Sequence, residues 1–194
     1  MTTGGFVVCG VRPPSLPHRA FVATFGSGTR DADATLAPHR PGRLIVVPVN
    51  PDLQGRTFPS VAPYLVGREK VREFARATLA DSPLNLDPAS ARAAGYDDVV
   101  APPTFAVVVQ EHTLAQLLAE PDAGIDFSRV VHGDQRFTFT RPIVAGDELT
   151  ATLTVTSVKS LGAHSMVTAA SEIVDSSGAH VVTATSTLVV RGDE

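Results

Sequence analysis

The chain has 194 residues, 43% of them hydrophobic, with a formal net charge of −4 and a single cysteine. This length fits one domain with or without an extension, and the negative charge argues against a nucleic-acid surface. One cysteine excludes an internal disulfide framework and a cysteine-rich metal site, and no apolar run is long enough to span a membrane. No signal-peptide pattern opens the chain, so we expect a cytoplasmic protein. The sequence contains no His, Asp or Glu spacing typical of a metal site and no P-loop motif, so we expect no metal or cofactor.

The first 46 residues differ in composition from the rest. They carry five Arg, two Asp, no Lys and no Glu, which is formally +3 and leaves −7 for the remainder. Proline and glycine are dense there, and no periodic apolar face is present, so residues 1–46 are predicted to be disordered. The preference for Arg over Lys indicates a GC-rich genome, in which GTG often starts translation. Val47 stands where an initiator Met would stand, so 1–46 is either a disordered extension or a misassigned start, and 47–194 is the folded domain.

The elements that follow are short. Prolines in 57–66 exclude a regular helix and predict an extended segment. Residues 68–77 predict a helix, because apolar residues recur on one face and charged residues on the other. Asp87 followed by Pro88 is typical of a helix start, and Gly95 ends the short helix that they begin.

A long central helix is predicted from Pro102 or Pro103 to Ala119. It is apolar nearly all round, so we expect other structure to enclose it, with His112 as a hydrogen-bonded core residue. Alternating apolar and polar residues then predict four antiparallel strands, with a hairpin turn at 175–178 between the last two. The strands are expected at about 130–140, 147–159, 163–175 and 179–191.

Three motifs follow one another along this part of the chain: APPTF at 101–105, HGDQRF at 132–137 and RPIVAGDELT at 141–150. Together with the long helix, they resemble the MaoC-like acyl-thioester dehydratases, and more narrowly the N-terminal, FAS1-like dehydratase domain type. That type includes the non-catalytic, substrate-binding subunits of bacterial (3R)-hydroxyacyl-ACP dehydratases. The resemblance runs from about Val47 to Gly192. It implies an α+β fold with a single hot-dog domain, in which an antiparallel sheet wraps round a long central helix.

Catalytic members of the resembling family carry a loop of the form D-x-N-P-x-H-x-D, whose Asp and His perform acid–base work. The matching loop here is 80–87, aligned on its proline and its final aspartate. Asn85 then stands in the place of the histidine, and Asn has no proton to exchange near neutral pH. The aspartate falls on Ala80, or on Asp81 if the loop is shifted by one residue. Asp81 and Asn85 are therefore degenerate positions, and no residue is assigned a catalytic role.

The start of the central helix departs from the family pattern as well. Catalytic members place a glycine there, and its backbone N–H polarises the thioester carbonyl at the positive end of the helix. Here Pro102 and Pro103 occupy this stretch, and proline offers no N–H.

The resemblance also implies a substrate-binding surface formed by the helix start and the H-G-D-Q element. Its expected members are Pro103, Thr104, Phe105, Val109, His132, Gly133 and Gln135. An alternative for His132 and Gln135 is a purely local role, in which their side chains hydrogen-bond to backbone at the strand end.

Three functions remain open at this point. The chain is a subunit that binds the acyl tail of a (3R)-3-hydroxyacyl-ACP or -CoA while a MaoC-type partner supplies the catalytic Asp and His. Alternatively, it is a homodimeric acyl-thioester binding module without turnover, or a standalone hydratase or thioesterase that uses Asp81 or His132. All three imply an acyl thioester ligand and a hetero- or homodimer, with no nucleic acid and no membrane as partner.

Overall fold

The computed structural model describes residues 48–60 and 62–192. The predicted extension at 1–46 lies outside the described residues, so its disorder and the domain boundary at 47 stay predictions. The described helices are α1 (Arg68–Ala77), α2 (Pro83–Leu86), α3 (Pro88–Ala93) and α4 (Ala106–Ala119). The described strands are β1 (Thr57–Pro59), β2 (Tyr64–Leu65), β3 (Val130–Phe139), β4 (Glu148–Leu161), β5 (His164–Asp175) and β6 (His180–Val190).

Side-chain caps set the starts of the short helices. The Asp87 side chain accepts hydrogen bonds from the N–H groups of Ala89 and Ser90, which fixes the start of α3 as predicted. The sequence did not predict α2, although its signal is of the same kind. Ser82 accepts a hydrogen bond from the N–H of Leu84, and a proline occupies the first helical position. None of the helices described has the length and apolar character needed to cross a bilayer.

The strands form one antiparallel sheet in the order β1-β4-β5-β6-β3, with β2 also paired to β4. The predicted hairpin turn between β5 and β6 is confirmed. In this turn the N–H of Gly178 donates to the carbonyl of Asp175 at 2.8 Å, and its φ of +83° suits glycine. In the described part of the chain, β3 pairs with β6 alone and therefore forms an edge of the sheet.

The helix α4 follows a single 3-10 turn at Pro103–Phe105 and packs against the sheet. The predicted α+β architecture, an antiparallel sheet with a long central helix, is confirmed. The expectation that this helix is enclosed all round is wrong, because Glu111, His112 and Ala115 are exposed on its outer side. The interpretation of His112 as a core residue is wrong for the same reason, and its ring packs instead on Tyr64 at 5.6 Å between centroids.

Two buried serines on neighbouring strands differ in their hydrogen bonding, and this difference generates a test. Ser171 on β5 is the one side chain of the described residues with a buried oxygen that lacks a partner, whereas the Ser186 hydroxyl on β6 bonds to Gln135 and Gln110. Ser171→Ala should raise the free energy of unfolding by about 1 kcal/mol, because it removes an unpaired buried hydroxyl. The melting temperature should rise by about 2–4 °C in calorimetry at fixed protein concentration.

Ser186→Ala is the matched control for this prediction. It removes a hydroxyl that has partners, so it should lower the melting temperature. Equal losses in both variants would contradict the assignment of Ser171 as unsatisfied.

Candidate functional site

The loop that aligns with the catalytic loop of the resembling family is tied to the segment before α4. Asn85 is only 8% exposed, and its Nδ2 donates to the carbonyl of Val100 at 2.6 Å. The N–H of Val100 in turn donates to the carbonyl of Leu84 at 2.9 Å. Asp81 lies on the surface of the same loop. Asn85 therefore has a structural bond at the position where the resembling enzymes carry their histidine.

The backbone between this loop and α4 has few N–H groups to offer an oxyanion. Pro102 and Pro103 have none. The N–H of Ala101 donates to the carbonyl of Ile143 at 2.8 Å, and that of Phe105 donates to the carbonyl of Pro102 at the same distance. Of this five-residue stretch, only the N–H of Thr104 is left, so the helix start is poorly equipped to polarise a thioester carbonyl.

An apolar cavity of about 310 Å³ lies where this helix start meets the end of β3. Asn85 and Pro103 line one side, and Phe139 and Arg141 line the other. Its volume is at the lower end of the range for small-molecule sites, about 300–1,000 Å³. The cavity therefore brings the degenerate position 85 together with Pro103, one of the residues predicted to bind substrate.

Arg141 holds the turn that forms one wall of this cavity. Its guanidinium donates to Asp147 at 2.8 Å and to Asp175 at 3.1 Å, so it links the start of β4 to the end of β5. The hydroxyl of Ser177 and the Arg141 guanidinium lower the pKa of Asp175 to about 2. This carboxylate is ionised in all but strongly acidic solution, and the ion pairs of Arg141 fix the turn.

Phe105 and Val109 were predicted to contact substrate, and both are buried in the isolated chain. The Phe105 ring packs edge-on against Phe74 at 5.3 Å and lies 6.4 Å from Tyr64. Both residues belong to an apolar cluster between α1, α4 and the sheet. Thr104, by contrast, is exposed beside them. A ligand that reaches Phe105 or Val109 must therefore displace packed side chains.

The H-G-D-Q element begins β3, and its histidine and glutamine bond to each other. The ring Nε2 of His132 lies 3.1 Å from Oε1 of Gln135, and Nε2 of Gln135 donates to Oε1 of Gln110 at 3.1 Å. Among the residues that the structure describes, neither side chain has the strand-end backbone partner that the local alternative expected, and their bonds to each other and to Gln110 are contacts within the chain. Sequence reasoning missed Gln110 and Ser186, which complete the cluster, although a glutamine on an apolar helix face is a signal that points to such a partner.

Titratable side chains do not gather into a metal centre in 48–60 and 62–192. No three His, Cys, Asp or Glu residues of these ranges lie close enough together to hold an ion.

Comparison with known proteins places these features in context. A family model described as FAS1-like, dehydratase domain region, matches residues 52–184. A UPF0336 protein of Leifsonia xyli is 72% identical over 149 residues, which cover 77% of this chain and 100% of that protein. The crystal structure of the C-terminally truncated HadBC (3R-hydroxyacyl-ACP dehydratase) complex from Mycobacterium tuberculosis is 33% identical. It matches with a TM-score of 0.66 over 71% of this chain and 97% of that chain. A structure described as MaoC-like dehydratase is 34% identical, with a TM-score of 0.65 over 72% of this chain and 42% of that one.

The bond between Asn85 and Val100 generates a stability prediction. Asn85→Ala should lower the free energy of unfolding by about 1–2 kcal/mol, because it leaves the Val100 carbonyl without its donor in a nearly buried place. Asp81→Ala is the control on the same loop and should change stability by less than about 0.5 kcal/mol, since Asp81 is exposed. Urea unfolding of both variants measures the difference, and an unchanged midpoint for Asn85→Ala would mean that the bond is not structural.

Proposed function

The chain belongs to the family of FAS1-like dehydratase domain regions, and we propose that it is the substrate-binding, non-catalytic subunit of a (3R)-3-hydroxyacyl-thioester dehydratase. In this role it holds the acyl chain of an acyl-ACP or acyl-CoA. A partner subunit of the MaoC type supplies the Asp and His that remove water to give the trans-2-enoyl thioester.

Asn85 is the observation that carries the proposal. A dehydratase needs a group that takes the α-proton and a group that protonates the leaving hydroxyl. The Asn85 amide titrates in neither direction near neutral pH, and its Nδ2 is already donated to Val100. Asp81 is exposed on the surface of the loop. These properties support a subunit that leaves acid–base chemistry to another chain.

The backbone at the helix start supports the same division. Stabilising the enolate-like oxygen of a thioester requires N–H donors aimed at it. With two prolines and two engaged N–H groups between Ala101 and Phe105, this helix start is a weak donor. The absence of a base at Asn85 and the shortage of N–H donors at the helix start are independent observations. A standalone enzyme would need a substitute for each.

The edge strand supports the need for a partner. In the described part of the chain, β3 has ten residues and hydrogen-bonds along one side only, so its other side offers unpaired N–H and C=O groups. Val131 is 47% exposed and Phe139 is 36% exposed on the same strand. Soluble proteins rarely leave such an edge open, and a second hot-dog domain that adds its own edge strand would cover it. The HadBC structure, one chain of which this chain resembles, is by its description a complex.

The cavity at the helix start supports binding of an apolar ligand. Its lining is mostly apolar, and it lies beside the end of β3, where a paired partner would approach. Pro103 and Thr104 are proposed to contact the thioester end of the substrate. His132, Gly133 and Gln135 are proposed to contact it from the strand. Phe105 and Val109, which are buried behind the helix start, are proposed to yield to long acyl tails.

A homodimeric acyl-thioester binding module is the second candidate. The same open edge favours it, because an antiparallel edge strand can pair with its own copy about a two-fold axis. The two candidates differ in what happens when a MaoC-type subunit is added. A subunit forms a heterodimer in preference to the homodimer and becomes part of an active enzyme.

The proposal predicts that the purified chain alone hydrates crotonyl-CoA no faster than buffer, because it lacks a base and oxyanion donors. Mixed with a MaoC-type subunit from the same genome that carries the D-x-N-P-x-H-x-D loop, it should form a one-to-one complex. Native mass spectrometry and light scattering measure the complex, and absorbance at the enoyl thioester band measures hydration. Robust turnover by the chain alone that is lost in Asp81→Asn would contradict the proposal. An inactive homodimer that ignores every MaoC-type subunit would favour the binding module.

A role in tail binding predicts a change in chain-length preference. In the active complex, Phe105→Ala and Val109→Ala should alter the ratio of kcat/KM for long to short acyl thioesters by about tenfold, because only long tails reach these side chains. Phe58→Ala, in the other apolar cluster, is the matched control for Phe105→Ala, and Val71→Ala on α1 is the matched control for Val109→Ala. Equal losses at all chain lengths, or the same change of preference in the controls, would assign the effect to destabilisation.

A further inference from the structure

A polar network runs through the otherwise apolar interface between α4 and the sheet to the open edge. Gln110 on α4 is 2% exposed and Ser186 on β6 is 1% exposed. Nε2 of Gln110 donates to the carbonyl of Ala184 at 3.3 Å and to the hydroxyl of Ser186 at 3.0 Å. The Ser186 hydroxyl donates a hydrogen bond to Oε1 of Gln135, and the same oxygen faces His132. A buried amide lowers stability unless each of its polar atoms has a hydrogen-bond partner. This requirement fixes the orientation of the Gln110 and Gln135 amides.

The direction of every hydrogen bond in the network follows from one backbone group. The carbonyl of Ala184 can only accept, so the atom of Gln110 that faces it must be the NH₂ group. Oε1 of Gln110 then points to Gln135, which must present its own NH₂ group there. Oε1 of Gln135 is left to face His132, and a carbonyl oxygen accepts. The ring of His132 must therefore carry its hydrogen on Nε2.

A β-bulge at Gly133 makes this contact possible. His132 pairs with Leu188 and Gln135 pairs with Ser186, although the register shifts between 132 and 134. Leu188 and Ser186 are two residues apart on β6 and lie on one face, so His132 and Gln135 also share that face. Without the extra residue, positions three apart on a strand would point to opposite faces. The bulge suits glycine, because a Cβ at 133 would lie 3.3 Å from the Thr187 carbonyl oxygen.

We infer that Gln110, Ser186 and Gln135 are positioning residues that hold His132 as the Nε2–H tautomer, so that its Nδ1 is a fixed hydrogen-bond acceptor for the thioester substrate. The inference rests on the proposed function for the identity of that ligand. Among the described residues Nδ1 has no partner, and His132 is exposed. The donor is an O–H or N–H group of the (3R)-3-hydroxyacyl thioester, either its 3-hydroxyl or an amide N–H of its pantetheine arm.

The geometry favours a ligand over the backbone of a partner strand as the donor. Ladder hydrogen bonds lie in the plane of the sheet, whereas the His132 side chain stands on the face that looks toward α4. A strand added to β3 would use its N–H groups in that plane and leave Nδ1 free. The donor must therefore lie on the helix side of the sheet, where the proposed substrate would lie.

The tautomer is tested first, in the full chain without any ligand. Long-range ¹H–¹⁵N spectra of histidine-labelled protein distinguish Nε2–H from Nδ1–H rings, and His132→Gln identifies its signals among the six histidines. We expect the Nε2–H tautomer in the wild type and a mixture of tautomers in Gln135→Met. Arg136→Gln, on the neighbouring exposed position, should leave the pattern unchanged. His180, held by the hydroxyls of Thr140 and Thr183, is an internal control. If His132 of the wild type is the Nδ1–H tautomer, or a mixture of the Nδ1–H and Nε2–H tautomers, the positioning role is overturned.

The acceptor role is tested in the complex with a MaoC-type subunit whose catalytic histidine has been replaced. Calorimetry compares (3R)-3-hydroxybutyryl-CoA with butyryl-CoA, for the wild type and for His132→Phe. A loss of about three- to tenfold in affinity for the hydroxyacyl ligand alone identifies the 3-hydroxyl as the donor. A similar loss for both ligands identifies the pantetheine amide. Unchanged affinities for both ligands, or a weakened subunit interface that accounts for the loss, overturns the acceptor role. Failure of the complex to form would overturn the proposed function, while the tautomer experiment would still decide the role of the network.

Discussion

The packing of α4 against one face of the antiparallel sheet is the contact on which the rest of the structure depends. Ala106 and Val109 near its start belong to one apolar cluster, and Leu114 and Leu117 near its end belong to another. Between them, Gln110 is buried and bonded on both ends of its amide. Apolar contacts hold the helix at each end, and hydrogen bonds in the middle fix its position along the sheet. The edge strand is aligned through the same bonds, because its glutamine completes the network.

Structural hydrogen bonds engage the groups of the site that the sequence predicts to be degenerate. The Asn85 side chain ties its loop to Val100, and the N–H of Ala101 is engaged by Ile143. These bonds tie the loop and the helix start to the body of the fold. In the proposed role the chain supplies no acid–base group, so these positions are free to stabilise the fold.

Local signals in the sequence were enough to predict most of the fold. Asp87 before Pro88 fixed the start of a helix, and alternation predicted four strands within a few residues of their ends. Features that arise only from pairing were not predictable. The bulge at Gly133 depends on the register with β6, and the partners of Gln110 come from strands more than twenty residues away in the chain. The exposure of His112 was not predictable, because an apolar composition indicates that a helix is packed against other structure but not which of its sides faces solvent.

Under the proposed pairing with a partner subunit, the open edge of β3 has a consequence for how a cell produces this protein. A newly made chain without a partner on β3 leaves the outer side of this ten-residue strand unpaired, with Val131 and Phe139 exposed and Asp134 and Arg136 as the charged residues of the strand. Self-association of such edges needs two chains to meet, so its rate grows with the square of the unpaired concentration, whereas capture by an abundant partner grows in simple proportion. Synthesis in matched amounts, close together in time and place, keeps the second process ahead of the first. The ratio in which the two proposed subunits are made therefore decides how much of this chain self-associates.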